Sequence, residues 1–147
     1  MNAVELLLRD HEEVKKLFRQ FEEAGKRAYK KKQGIAEQVI QKITVHSQLE
    51  ERIFYPAVRA KAGQETGDMI LEGIEEHRVA DFMMERLKQT EPTDETYDAK
   101  FKVLVEGVEH HVKEEEGQVF PEAKKAVGDD LESLGAQMEK LEQQLAK

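Results

Sequence analysis

Cysteine and tryptophan are absent from the 147 residues, and proline occurs only at Pro56, Pro92 and Pro121. The lack of cysteine excludes disulfide frameworks, thiolate zinc sites, iron-sulfur clusters and thiol nucleophiles, so any metal must be held by His, Asp and Glu. Long apolar runs are also missing, and nothing approaches the roughly 18 residues that a membrane span needs. Positive charge is in deficit, with 23 Lys and Arg against 31 Asp and Glu and a formal charge of -8, which repels a phosphate backbone. Neither nucleic acid nor a membrane is therefore an expected partner. The first residues, MNAVELLLRDHEE, put acidic side chains directly after a short apolar stretch, without a basic leader or a small-residue cleavage site. A reducing, cytoplasmic setting is the expectation.

What is present is helical periodicity. Apolar residues recur at steps of three and four in four segments: Val4 to Phe21, Ile35 to Phe54, Ile70 to Leu87 and Phe101 to Val119. β-branched residues never alternate with polar ones over a strand length, so the chain reads as all-α. Breakers fall at AGKRAYKKKQG (24–34), KAGQETG (61–67) and TEPTD (90–94), each short enough to make neighbouring helices antiparallel. The expected architecture is an up-down-up-down four-helix bundle over 1–127. A further helix over 128–147, capped by Asp129, would lay Leu131, Leu134, Met138, Leu141 and Leu145 on the bundle. The basic run KRAYKKK (26–32) reads as a solvated turn, and Phe54, Tyr55, Phe120 and the methionines Met69, Met83 and Met84 as core lining.

The five histidines are the informative residues. His11, His46, His77 and His111 each fall on the apolar stripe of a different helix, whereas His110 is rotated about 100° from His111 and reads as a surface neighbour. A glutamate follows one turn after two of the inward histidines, as His46 and Glu50 in HSQLE and as His111 and Glu115 in HVKEE. Unpaired buried carboxylates are costly, so these two call for a cation. Height agrees with facing. In antiparallel helices two residues are level when the turn lies midway between them, and the successive histidine midpoints fall near 28, 61 and 94, in or at the edge of the breakers. Moreover HSQLEERIFYP (46–56) returns as HVKEEEGQVFP (111–121), and the offset between His11 and His77 nearly equals that between His46 and His111. Two hairpins thus supply the halves of one pseudo-symmetric site.

Six ligands are too many for one tetrahedral zinc and too poor in oxygen for calcium or magnesium. A pair of metals bridged by Glu50 and Glu115 fits better, and mixed imidazole and carboxylate ligation suits iron above other first-row metals, with manganese or zinc able to occupy the same ligands. Each iron would keep positions for water, an oxo or hydroxo bridge, or a small ligand. An apolar pocket lined by Phe18, Phe54 and Val108 would favour small, weakly polar ligands.

At DHEEV, HSQLEERIFYP, EEH and HVKEEEGQVFP, over roughly residues 1–126, the chain resembles the hemerythrin-like, or HHE cation-binding, family. That resemblance implies a four-helix bundle with a non-haem diiron centre that binds dioxygen, nitric oxide or peroxide-level species. It further implies that His11 and His46 serve one iron and His77 and His111 the other, with Glu50 and Glu115 as bridges. Oxygen-carrying members have a fifth histidine from an HxxxH pair on the third helix, but Gly73 and Asp81 stand at those places here. The pattern H, HxxxE, H, HxxxE is similar to the four-histidine bacterial subgroup, in which water, Asp81, Glu51 or Glu116 would complete the coordination. Ferritin-like diiron proteins need ExxH units, and none occurs. Three functions follow as expectations: binding or sensing of a diatomic ligand, catalase-like or peroxidase-like turnover of hydrogen peroxide, and iron storage or transfer.

Overall fold

The computed structural model describes residues 1–146. Helix formation begins at a capping box, in which the Asn2 side chain accepts the Glu5 N–H and the Glu5 carboxylate accepts the Asn2 N–H, each at 2.9 Å. α1 (Ala3–Glu23) follows it. α2 (Tyr29–Leu49) runs into a π-helical turn, Glu50–Phe54, and continues as α3 (Tyr55–Lys61). α4 (Gln64–Lys88) leads to α5 (Tyr97–Glu114), which passes through a second π turn, Glu115–Val119, into α6 (Phe120–Val127). A 3-10 turn, Gly128–Asp130, precedes α7 (Leu131–Leu145). The links 24–28, 62–63 and 89–96 are short, so α1, α2 with α3, α4, and α5 with α6 form an antiparallel four-helix bundle. Among the described residues, no helix is long and apolar enough to cross a membrane.

The two π turns occupy equivalent places in the repeat, and the sequence explains them. Each is followed after one residue by a proline, Pro56 or Pro121. A proline ring has no N–H and clashes with the carbonyl four residues back, here Arg52 or Gly117. One extra residue in the turn relieves that clash while the helix continues, and the Tyr55 and Phe120 N–H groups reach back five residues to the carbonyls of Glu50 and Glu115.

The core is divided in two. One half gathers Leu6, Leu7, Leu49, Phe54, Ile70 and Phe120 with α7, and the other gathers Phe18, Phe21, Ile35, Met84, Tyr97 and Phe101. The polar layer of histidines and glutamates lies between them. α7 buries Leu131, Leu134, Met138 and Leu141 against the first half, with Leu145 partly buried beside them. Gly135 permits this approach, because a Cβ there would sit 2.2 Å from the Met1 carbonyl oxygen.

Two expectations need correction. Asp129 does not cap α7: the cap position is Asp130, without a side-chain cap bond, and its carboxylate instead takes Lys61 at 2.8 Å. The 3-10 turn satisfies the Leu131 N–H through the Gly128 carbonyl and makes a side-chain cap unnecessary. The basic run is not a wholly solvated turn, since α2 begins at Tyr29 and Lys32 is buried, its ammonium on Asp98 at 2.9 Å and on the Lys26 carbonyl. Lys147, the last residue of the expected C-terminal helix, lies outside the described residues.

Candidate metal centre

His11 on α1, His46 on α2, His77 on α4 and His111 on α5 are all buried, as are Glu50 and Glu115 at the starts of the two π turns. Their ligand atoms form two sets, His11 with His46 and Glu115, and His77 with His111 and Glu50, each within 4.8 Å. The sets interlock across the repeat. Glu50 Oε1 lies 3.0 Å from His77 Nε2 and 3.4 Å from His46 Nε2. Glu115 reaches His11 Nε2 at 3.2 Å with Oε1 and His111 Nε2 at 3.5 Å with Oε2. Each carboxylate therefore touches both histidine pairs, which is the placement a bridging ligand requires.

The outer ring nitrogens are all occupied by carboxylates. His46 Nδ1 meets Asp10 at 2.9 Å, His111 Nδ1 meets Glu76 at 2.7 Å, His11 Nδ1 meets Glu116 at 2.8 Å and His77 Nδ1 meets Glu51 at 2.7 Å. A protonated Nδ1 donating to a carboxylate leaves the Nε2 lone pair free for a cation and fixes the ring. These partners follow the pseudo-twofold repeat: the residue before each first histidine holds the second histidine of its own half, and the residue after each buried glutamate of the layer holds the first histidine of the other half. Glu51 and Glu116 are thus taken by imidazoles rather than completing the ligand set. Asp81 is exposed and faces Arg78. His110 is 68% exposed on the outside, 2.5 Å from Glu114.

Tyr55 lines the core as expected, but its hydroxyl also enters the site, which the sequence did not announce. Its hydroxyl donates to Glu115 Oε2 at 2.5 Å and lies 3.4 Å from His111 Nε2. In an uninterrupted α-helix Tyr55 would stand about 140° around from Glu50; absorbing one extra residue in the π turn cuts this to about 40°. The tyrosine ring stacks on His77 at 5.7 Å, and at the matching place in the other half Phe120 stacks on His11 at 5.6 Å. The halves differ by one hydroxyl. Gly73 makes room for it, because a Cβ there would lie 3.2 Å from both the Tyr55 oxygen and His111 Cε1. The position four before His77 is therefore filled by a tyrosine hydroxyl from α3. Its signal in the sequence was the pairing of Gly73 with Leu7 across the repeat.

The electrostatics suit a cation site. Burial opposes the charged form of His11, His77 and His111, yet Glu115 and Glu50, with the outer carboxylates, raise all three above the ordinary histidine range. Burial likewise opposes ionisation of Glu115, but the neighbouring histidines hold it well below the carboxylate range. At Asp10 burial is outweighed by His46, Lys42 and Arg9, so its carboxyl is also lowered. Burial and the nearby Glu115 and Glu50 carboxylates keep Tyr55 protonated by raising it well above the phenol range. Even so, His11 Nε2, His46 Nε2, Glu50 Oε2 and Glu115 Oε1 have no hydrogen-bond partner among the described residues. Four orphaned buried atoms converging on one layer are the mark of a cation site, since each would otherwise cost about 1–3 kcal/mol.

The hemerythrin HHE cation-binding domain model matches residues 2–123, a stretch that contains all four inward histidines and both buried glutamates. The chain belongs to the hemerythrin HHE family. A crystal structure of a hemerythrin HHE cation-binding domain-containing protein from Mycobacterium kansasii covers 99% of this chain and 87% of its own, with a TM-score of 0.84 at 24% identity, and shares the fold. A Nostoc protein named DNA nickase is 27% identical over 121 residues, which is 82% of this chain. The HHE chain spans about a third of that relative's length.

A cavity of about 470 Å³ opens beside the layer. Its inner end carries His11, His46, His77 and His111, and its walls are Val14, Ile43, Met83, Leu104 and Val108. Of the pocket residues expected from the sequence only Val108 lines it, while Phe18 and Phe54 are packed into the two halves of the core.

Proposed function

We propose that this domain holds two iron ions, one among His11, His46 and Glu115 and one among His77, His111 and Glu50, and presents them to a small ligand such as dioxygen or nitric oxide. The observation that carries the reading is the interlocking of the two sets through both glutamates, which suits a carboxylate-bridged pair better than two independent ions. Bound there, the iron pair would supply electron exchange with the ligand. The protein does the rest. Asp10, Glu76, Glu116 and Glu51 aim the four Nε2 lone pairs inward, Tyr55 keeps a proton on the Glu115 side, and the apolar cavity wall limits water at the histidine layer.

A second reading, turnover of hydrogen peroxide, is favoured by Tyr55, whose hydroxyl places a proton donor at one end of an otherwise symmetric site. The charge of -8 argues against the DNA cleavage named for the Nostoc relative, most of whose length lies outside the match.

Iron content and the visible spectrum, followed through anaerobic reduction and readmission of oxygen, test the proposal. About two irons per chain and a reversible spectral change are expected; His111→Ala should lose iron and His110→Ala should not. A site that takes only one ion, or that survives His111→Ala intact, refutes it. Rapid oxygen evolution on adding peroxide to the iron-loaded protein would select the second reading.

A further inference from the structure

The cavity is far larger than a diatomic ligand needs. A water molecule's share of liquid is roughly 30 Å³, so 470 Å³ is about fifteen times that share and well beyond what a ligand of two heavy atoms fills. Its lining is apolar, which is wrong for a water channel. Its mouth, between α4 and α5, keeps Val79 63% and Val103 53% exposed, and Phe82, one turn beyond Val79, is 63% exposed. Gly107 lines the same opening, and a Cβ there would meet nothing within 4 Å. Exposed valines at the lip of an apolar cavity ease entry of a hydrocarbon. Charge narrows the class further. Glu76 and Glu106 line the cavity, and the whole chain is at -8, so a carboxylate head group is repelled on approach. Polar groups suited to an oxygen function are the four imidazoles of the histidine layer, with the buried Ser47 hydroxyl and Asp10 also in the lining.

We propose that this cavity binds an uncharged organic molecule with one terminal hydroxyl or hydroperoxyl group, its hydrocarbon body against Ile43, Met83, Leu104 and Val108 and its oxygen end at the histidine layer. The placement of the oxygen end rests on the metal-centre reading; the burial of the hydrocarbon does not.

Calorimetric titration with straight-chain alcohols from butanol to octanol, on metal-free and iron-loaded protein, tests it. Affinity should rise about fourfold per methylene, with a negative heat-capacity change, and octanoate should bind more weakly than octanol. Gly107→Leu, at a helical position lining the opening where a Cβ meets nothing within 4 Å, should cut octanol affinity by about tenfold, with circular dichroism unchanged. Affinity that ignores chain length, or that ignores Gly107→Leu, overturns the proposal. So does a dimer in sedimentation that covers the Val79 and Val103 lip and is broken by Val79→Asp. Chain-length dependence in protein that takes up no iron would uphold the cavity and reject the metal centre, whereas iron uptake without alcohol binding would do the reverse.

Discussion

A single hydroxyl separates the two halves of the centre, and the surrounding residues are matched to it. Tyr55 and Phe120 stack on equivalent histidines, but Gly73 lies against the first and Leu7 stands at the matching place in the other half. Tyr55→Phe should destabilise the metal-free protein by about 1–3 kcal/mol, because Glu115 Oε2 loses its donor while remaining buried. Phe120→Tyr should cost a similar amount for the opposite reason: the half that has Leu7 in place of glycine leaves the new hydroxyl overpacked. Urea unfolding of the two variants measures both. If Phe120→Tyr is neutral, the asymmetry is not built into the packing. At this scale the inward facing and common height of the four histidines and two glutamates were legible from the sequence, because facing and height are both counted in residues. The ring of outer carboxylates was not. Asp10 and Glu76 look like ordinary helix acids until the rings of His46 and His111 are placed, and Glu51 and Glu116 were read as spare ligands because nothing in spacing alone separates a metal bond from a hydrogen bond to the far nitrogen of another helix's histidine.

Elements carry the same lesson. The repeat HxxxEExxxxP announced both prolines, yet the bundle was expected to run through them as plain helix. The π turns change the facing of every later side chain by about one residue's rotation, roughly 100°, which is why the entry of the Tyr55 hydroxyl into the site was not legible while the facing of Glu50, where the bulge begins, was. The C-terminal helix was legible from its leucine stripe, but its seat on the first residues of α1 depended on Gly135, whose role appears only when a backbone lies against it. Gly135→Val would drive a side chain into the Met1 carbonyl and should destabilise the fold by about 1–3 kcal/mol. Gly107→Ala, at an open helical position, should instead be neutral or stabilising by up to about 1 kcal/mol. Thermal melts of the pair check this, and equal effects would mean that α7 is not held against the N-terminus as described.

For the whole molecule, the consequence of a bundle cored by an ionisable layer is a stability that depends on both protons and metal. Without metal, His11, His77 and His111 are raised by the buried carboxylates beside them, so their contribution is complete below the ordinary histidine value near 6.5 and is lost as pH rises through the higher folded values. Glu115 is depressed, so its contribution is present above the ordinary carboxylate range and is lost as pH falls through its low folded value. The metal-free protein should therefore be most stable between those limits and weaken towards alkaline pH. Cations reverse the alkaline limb. Protons on the Nε2 atoms must leave before a metal can bind, so metal affinity rises with pH over the range in which those protons are released. Ferrous iron added anaerobically should accordingly raise Tm more at pH 8 than at pH 6 at the same concentration, and the difference between metal-loaded and metal-free Tm should shrink as the solution is acidified. Differential scanning calorimetry on both forms across that range measures it. An iron-induced gain that is the same at the two pH values would mean that the histidines between the two halves of the core are not what holds the metal.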